Sequence, residues 1–223
     1  MIGTVKPAEA DQNQLIKMMV GRDLGELFPR RQPNPGEEAL AVKDFSRAGS
    51  FDKVSFSLRR GEIVGLFGLV GRGRTQVARC IFGADPFSAG ELRLEGKPLR
   101  PRSPHDAVRA GIAFLTEDRK RDGLVMSCSI RDNASLATMN QVSRLGVLNV
   151  RKRDARVQAK VGELSINQAQ ISRLVRQLSG GNQQKVILAK WLLSQARVLI
   201  LDEPTRGVDV ATKIGRASCR ERV

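Results

Sequence analysis

The stretch GLFGLVGRGRTQVAR, residues 65–79, decides the fold of this chain. It has the pattern of an apolar strand that ends in a glycine-rich turn and continues into a helix. Residues 68–75 follow the spacing G-x-x-x-x-G-K-[ST], with glycines at Gly68 and Gly73 and the hydroxyl residue at Thr75. The exception is Arg74, which stands in place of the lysine. Such a turn directs backbone N–H groups and the positive end of a helix towards phosphate oxygens. The stretch therefore predicts a phosphate-binding loop, and the alternative is a strand-to-helix turn with spare glycines.

Length and composition place the chain among globular proteins. It has 223 residues, of which 41% are hydrophobic and 27% charged. No apolar run approaches the roughly 20 residues that a membrane-spanning helix needs. Residues 1–12 lack the pattern of a signal peptide, and three cysteines without C-x-x-C spacing disfavour a disulfide framework or a zinc site. We therefore expect a cytosolic protein.

The formal net charge of +15 has two interpretations. One is binding to nucleic acid or to anionic lipid. The other, which we favour, is a solvated basic surface with a few cations that face a nucleotide, because clusters such as RKRD at 119–122 and 151–154 are short and end in an acid. Aromatic residues make up 4% and tyrosine is absent, which disfavours a base-stacking platform, so nucleic acid is not an expected partner.

Both ends of the sequence are expected to lie outside the main domain. Residues 1–21 contain a short apolar helical pattern, and 22–38 have the Pro, Gly and charge content of a linker. The last ten residues, IGRASCRERV (214–223), resemble the translation of a sequencing adapter and are not expected to belong to the fold. We expect the chain to be truncated at both ends.

Hydrophobic patterning predicts strands that alternate with helices, and therefore an α/β fold with a largely parallel sheet. The apolar run Glu62–Phe67 has the composition of a buried central strand. A helix over Pro104–Ala110 is indicated by Ser103 as N-cap and Gly111 as stop. Residues 124–177 are mostly helical in pattern. The other predicted elements are strands at Leu40–Lys43, Val54–Leu58, 90–99 (with a turn), 112–116 and 198–202, and a helix at Thr75–Phe82.

Two further motifs carry chemistry. LSGGNQQK (178–185) places a serine and two glycines at a helix start, which is an anion-binding end or simply an ordinary capped helix. VLILDEPT (198–205) delivers two carboxylates to the carboxyl end of a strand, where α/β sheets bind ligands. Asp202 could hold Mg²⁺ and Glu203 could polarise a water, although an acidic pair after a strand can also be a helix N-cap.

These motifs, in this order, resemble the nucleotide-binding cassette of ABC transporters. LSGGN matches the family signature, VLILDE its Walker B motif and RGVD (206–209) its D-loop, and the resemblance covers about 39–213. It implies a P-loop NTPase fold with a mostly parallel sheet, N-terminal antiparallel strands and a helical subdomain at about 125–177. Three features resemble the second cassette of ribose-, xylose-, arabinose- or galactose-type importers: the stretch EDRKRDGL (117–124), the arginine in the glycine loop, and the stretch LDEPTRGVDV. Residues 1–21 would then be the tail of a first cassette.

The resemblance implies ATP and Mg²⁺ as ligands, sandwiched between two cassettes that face head to tail. Glu203 and Glu117 would be catalytic, and Glu117 stands where the family usually has glutamine. Asp209 would lie at the seam between the cassettes. The residues implied to hold this chain's ATP are Gly68, Gly71, Arg72, Gly73, Arg74, Thr75 and Gln76, with Phe45 or Phe51 stacked on adenine. Mg²⁺ would be held by Thr75, Asp202 and Glu117, and the partner's ATP by Ser179, Gly180 and Gly181.

The implied function is energy coupling in a monosaccharide importer, at the cytoplasmic face of the membrane. Its partners would be the first cassette, a second ATPase copy, permease subunits and, indirectly, a sugar-binding protein. Arg74 and Glu117 depart from the family pattern, so we expect ATP binding with reduced or altered turnover. His105 lies on the predicted surface helix and is expected to be only solvated. The alternatives are a soluble ABC-type ATPase that acts on ribosomes or nucleic acid, and a non-hydrolysing regulatory cassette.

Overall fold

Four antiparallel strands form the first sheet. The computed structural model describes residues 34–69, 71, 73–166 and 170–204. Strand β1 (Glu38–Arg47) pairs with β2 (Phe51–Arg59) on one side and with β3 (Ala89–Leu94) on the other, and β4 (Lys97–Pro98) completes the order β2-β1-β3-β4. These strands confirm the antiparallel N-terminal layer expected from the sequence.

A short parallel pair forms a second sheet. Strand β5 (Ile112–Leu115) pairs with β8 (Val198–Leu201) in register from Ile112↔Val198 to Leu115↔Leu201. All four residues of β5 are buried, as the continuous apolar sequence IAFL predicts for a parallel strand. Because the register is parallel, the carboxyl ends of both strands reach the same edge of the sheet.

Four of the five α-helices in the described residues begin at polar caps, where a side-chain oxygen satisfies an otherwise unpaired backbone N–H, and the helix Arg74–Ile81 begins instead at Gly73. Ser103, Ser129, Asn149 and Ser179 each accept a hydrogen bond from the N–H three residues further on. The helices are α1 (Arg74–Ile81), α2 (Pro104–Ala110), α3 (Ile130–Ser135), α4 (Val150–Glu163) and α5 (Gly180–Leu193), with a π-helical turn at Arg119–Gly123 and 3₁₀ turns at Leu136–Gln141 and Val175–Gln177.

The stretch from 124 to 177 contains one element that helical patterning does not predict. Strands β6 (Ser143–Arg144) and β7 (Val147–Leu148) form a small antiparallel hairpin between the 3₁₀ turn and α4. Its turn residues Leu145 and Gly146 have φ values of 50° and 80°. The turn was missed because leucine is not a residue that selects a left-handed turn position.

The predicted buried strand at Glu62–Phe67 is wrong for the part of the chain that the structure describes. Residues 62–69 form no strand, and Ile63 and Phe67 are 75% and 96% exposed. An apolar run becomes a buried strand only when other strands pair with its edges, and here β5 and β8 pair with each other. Within the described residues, the expected parallel sheet is therefore limited to the β5–β8 pair.

Aromatic side chains join the elements around this pair. Phe82, at the end of α1, lies 5.5 Å from the Phe114 ring of β5 and 5.7 Å from the Trp191 ring of α5. A second core fills the space among α3, α4 and α5, where Ile130 and Val186 have no exposed surface. Burial of each such side chain contributes about 1.5–3 kcal/mol.

Candidate functional site

The glycine loop runs directly into α1. Gly71 and Gly73 have φ values of 80° and 87°, in the left-handed region that favours glycine. A Cβ on Gly73 would lie 3.1 Å from the Ser50 carbonyl oxygen and 3.1 Å from the Phe51 Cβ. Gly73 precedes the first turn of α1, which contains no acidic residue to neutralise the positive helix end. The left-handed glycines and the helix start without acidic residues are the features that suit an anion.

Arg74 connects this loop to the end of strand β8. Its Cδ lies 3.6 Å from the position that a Cβ on Gly68 would occupy, so the side chain folds back over the loop. Its Nη2 lies 3.8 Å from Glu203 Oε1, and the two side chains are 33% and 40% exposed. Two of the sequence motifs thus meet in space. At this distance and exposure the ion pair is a marker of position more than a source of stability.

The carboxylates lie at the shared edge of the parallel sheet. The Asp202 N–H donates to the Leu115 carbonyl at 2.9 Å, which fixes the end of β8 against the end of β5. Glu117 follows β5 by two residues and is half-buried. Glu203 adopts a φ of 42°, which is uncommon for a residue with a Cβ and is found more often at functional positions.

Asp202 fits the requirement of a magnesium ligand. Its Oδ2 atom is buried and accepts no hydrogen bond from the described residues. An orphaned carboxylate oxygen is costly to bury unless a water or a cation completes its coordination. No group of three or more His, Cys, Asp or Glu side chains lies together in the described ranges. Mg²⁺ does not need such a cage, because it takes one or two carboxylates and fills its other positions with water and phosphate oxygens.

The segment after Glu117 is attached to helix α5 by two contacts that sequence reasoning missed. Arg119 Nε donates to Gln183 Oε1 at 3.2 Å. Lys190 Nζ donates to the Gly123 carbonyl at 2.9 Å. Lys190 is only 6% exposed, and burial lowers its pKa to about 8. The available signal was Lys190, a single cation within the apolar run VILAKWLL (186–193).

Helix α5 begins at the signature-like motif. Ser179 accepts a hydrogen bond from the Asn182 N–H at 3.4 Å and is exposed, whereas Gly181 is buried. The first turn of α5 contains no acidic residue. Its amino end is therefore open to solvent and suited to an anion brought by another molecule.

The structure corrects the assignment of Phe45 to adenine stacking. Phe45 has no exposed surface, because its ring packs between Phe51 at 5.7 Å and Phe87 at 4.5 Å. Neither face is open to a base. Phe51 is half-buried and adjoins Gly73, and it also lines a cleft of about 710 Å³ beside the β1–β2 turn. Of the two phenylalanines named from the sequence, Phe51 has the better position.

The other residues named from the sequence fall into three groups. Thr75 and Gln76 occupy the first turn of α1 and are half-buried, close to the loop they were expected to serve. Arg72 and the D-loop residue Asp209 lie outside the described residues. His105 is exposed on α2, as expected.

The family profile described as ABC transporter matches residues 51–206. This chain belongs to that family. The cassette is 44% identical over 208 residues to the ribose import ATP-binding protein RbsA 2 of Streptomyces coelicolor, covering 93% of this chain and 40% of that protein. It is 45% identical over 212 residues to the ribose import ATP-binding protein RbsA of Geobacillus kaustophilus, covering 95% and 43%. The chain thus spans about two-fifths of the length of these relatives.

Solved ABC cassettes share the fold. A dimeric ATP-binding cassette in a post-hydrolysis state, bound to ADP and Pi, superposes with a TM-score of 0.67 at 19% identity, covering 81% of this chain and 80% of that one. A nucleotide-free ATP-binding cassette from an ABC transporter gives a TM-score of 0.67 at 20% identity, covering 83% and 77%. Among the described residues, no helix has the length and apolar character needed to cross a bilayer.

Proposed function

We propose that this chain is an ATP-binding and hydrolysing cassette, the second of two in the energy-coupling subunit of a monosaccharide importer. The 3.8 Å approach of Arg74 to Glu203 carries the proposal, because it brings the glycine loop and the Walker B carboxylates to one place. The identity to two ribose import ATP-binding proteins supports sugar as the transported class.

Each part of the site has a distinct role in this proposal. The loop amides and the amino end of α1 bind the β- and γ-phosphates, and Arg74 adds a fixed positive charge. Thr75, Asp202 and Glu117 would hold Mg²⁺. Bound Mg²⁺ supplies charge neutralisation at the phosphate oxygens. Glu203 orients the attacking water and accepts its proton.

The signature motif acts on a different nucleotide. Ser179 and the amino end of α5 face outward, so they contact the γ-phosphate of ATP held by the partner cassette. Permease subunits would receive the resulting motion through the helical part of the chain. Arg119–Gln183 and Lys190–Gly123 support this route, because they join the segment that follows Glu117 to the signature helix.

A non-hydrolysing cassette is the second candidate, and the same Arg74–Glu203 contact favours it. The guanidinium competes with water for the Glu203 carboxylate, which would preserve ATP binding while reducing turnover.

Turnover of the two-cassette protein that carries this sequence, assembled with its permease, tests these roles. Glu203→Gln should lower hydrolysis at this site, and Ser179→Arg should lower it at the partner's site while ATP binding to this chain persists. Ser127→Ala, at an exposed serine outside all motifs, is the matched control. If both site variants turn over ATP at the rate of the control, the assignment of catalytic roles is wrong.

A further inference from the structure

The hairpin that sequence reasoning missed exposes apolar side chains to solvent. Leu145, at its tip, is 96% exposed, and Val147 on β7 is 72% exposed. Val150, which begins α4 just beyond the hairpin, is 48% exposed. The Asn149 N–H donates to the Val142 carbonyl at 2.8 Å, so the start of α4 stays beside the base of the hairpin.

The turn does not require a leucine. Leu145 has a φ of 50° and Gly146 a φ of 80°, and residues with short polar side chains are preferred at the first of these positions. Leu145 has a left-handed backbone and an almost fully exposed side chain, so the leucine adds no stability to the fold. Its placement indicates an external contact.

The charge around this tip has one sign. No Asp or Glu occurs between Asn133 and Arg153. Arg144 and Arg151 are exposed and form no ion pair with the described residues. The exposed Lys152 Nζ forms no ion pair with them either and donates to the Gln141 carbonyl at 3.2 Å.

The nearest acids in the sequence are already paired. Arg153 is 8% exposed and contacts Asp132 at 3.2 Å and Asp154 at 2.9 Å, and Asp154 also pairs with Arg131 at 3.3 Å. The neighbouring carboxylates are thus engaged by other cations, and the outward-facing charge of this region is positive.

We infer that this region is a membrane-contacting surface that binds anionic phospholipid. The surface consists of Arg144, Leu145, Val147, Val150, Arg151 and Lys152. Exposed apolar side chains flanked by cations without an ion pair match the interface of an anionic bilayer. The apolar side chains contact the acyl chains there, and the cations contact the headgroup phosphates. The inference rests on the proposed place of the cassette beside a membrane permease, and it gives a use to part of the +15 net charge.

Binding of the chain to vesicles tests the inference, and no nucleotide or permease is needed. Vesicles of phosphatidylcholine are compared with vesicles of equal parts phosphatidylglycerol and phosphatidylcholine, by sedimentation. We expect binding to the anionic vesicles only. Leu145→Ser with Val147→Ser should weaken it by about tenfold or more. Arg144→Gln with Arg151→Gln should weaken it by about fivefold for each charge removed.

A matched variant and a local probe make the result specific to this surface. Ile63→Ser with Phe67→Ser removes equally exposed apolar groups elsewhere and should leave vesicle binding unchanged. Leu145→Trp should show a blue-shifted emission on adding anionic vesicles, because the native Trp191 is already buried. The inference would be overturned if Ile63→Ser with Phe67→Ser lost as much vesicle binding as Leu145→Ser with Val147→Ser. It would also be overturned if the emission of Leu145→Trp did not shift on adding anionic vesicles.

Two other outcomes would also overturn it. Binding only to membranes that contain the permease would assign the surface to a protein partner. Equal affinity for an RNA oligonucleotide, lost with the arginines but not with Leu145 and Val147, would show a purely electrostatic surface. Because vesicle binding is independent of ATP, a negative result here leaves the proposed ATP site untouched, and failure to bind ATP leaves this surface untouched.

Discussion

Arg74 shows how a single residue departs from a motif without leaving its site. It stands where the spacing calls for lysine, yet its guanidinium lies over the glycine loop and 3.8 Å from Glu203. The planar fork of arginine keeps the charge but reaches further than an ammonium group. Local patterns predicted the loop and the carboxylates separately, and only the resemblance to ABC cassettes implied that they bind one nucleotide. The β5–β8 register, which places the end of β8 beside the end of β5, is contained in no local pattern.

At this scale we expect Mg²⁺ to act on ATP binding through Asp202. In the wild-type chain, removing Mg²⁺ with EDTA should weaken ATP binding. Asp202→Asn should bind ATP weakly whether or not Mg²⁺ is present, because the amide is a poor ligand for this ion. Competition with a fluorescent ATP analogue measures both affinities. Asp44→Asn, at an exposed aspartate, should retain the Mg²⁺ response, and an Asp202→Asn response equal to it would contradict the role.

Lys190 should give stability a specific pH dependence. Its pKa in the folded chain is lowered to about 8 by burial, whereas in the unfolded chain it returns to about 10.4. Between these values the unfolded state binds more protons, so the free energy of unfolding rises with pH from about 8 to 10. Urea denaturation of wild type and Lys190→Met over this range measures the difference. The methionine variant should lack this rise, and identical slopes would show that Lys190 does not titrate there.

At the scale of helices and strands, the sequence predicted where a helix begins and ends but not which strands pair. Ser103, Pro104 and Gly111 mark the ends of α2 within the local sequence, and the helix runs between them as expected. Glu62–Phe67 shows the opposite case, since its apolar composition describes a strand but does not supply the neighbours that would bury it. The β6–β7 hairpin lacks the Asn-Gly or Asp-Gly turn that would have marked it.

The loop before α3 should depend on the buried amide of Asn133. The side chain is 2% exposed, donates to the Val125 and Ser129 carbonyls, both at 3.0 Å, and accepts from the Val125 N–H at 2.8 Å. Asn133→Ala leaves the Val125 N–H without its partner and removes one hydrogen bond from each carbonyl, which should lower the free energy of unfolding by about 2–3 kcal/mol. Chemical denaturation measures it. The exposed Ser127→Ala in the same loop should change it by less than about 0.5 kcal/mol, and equal effects would refute the role of the amide.

For the whole molecule, the exposed apolar segment at 62–69 should govern self-association. Phe67 is 96% exposed in a stretch that has no strand pairing among the described residues, and such segments associate between chains. Phe67→Glu should reduce concentration-dependent association, measured by light scattering. Leu136→Glu, at a residue 55% exposed outside this segment, is the control and should have little effect. If Leu136→Glu reduces association as much as Phe67→Glu, the segment is not the cause.

Equilibrium binding of Mg-ATP to this chain tests the central claim, that the glycine loop and the Walker B carboxylates form one nucleotide site. Wild type should bind saturably, and Arg74→Ala should bind about 5- to 30-fold more weakly, a loss of about 1–2 kcal/mol. Arg59→Ala, at an exposed arginine at the end of β2, should match wild type. Absence of saturable binding, or equal weakening by both arginine variants, would contradict the claim.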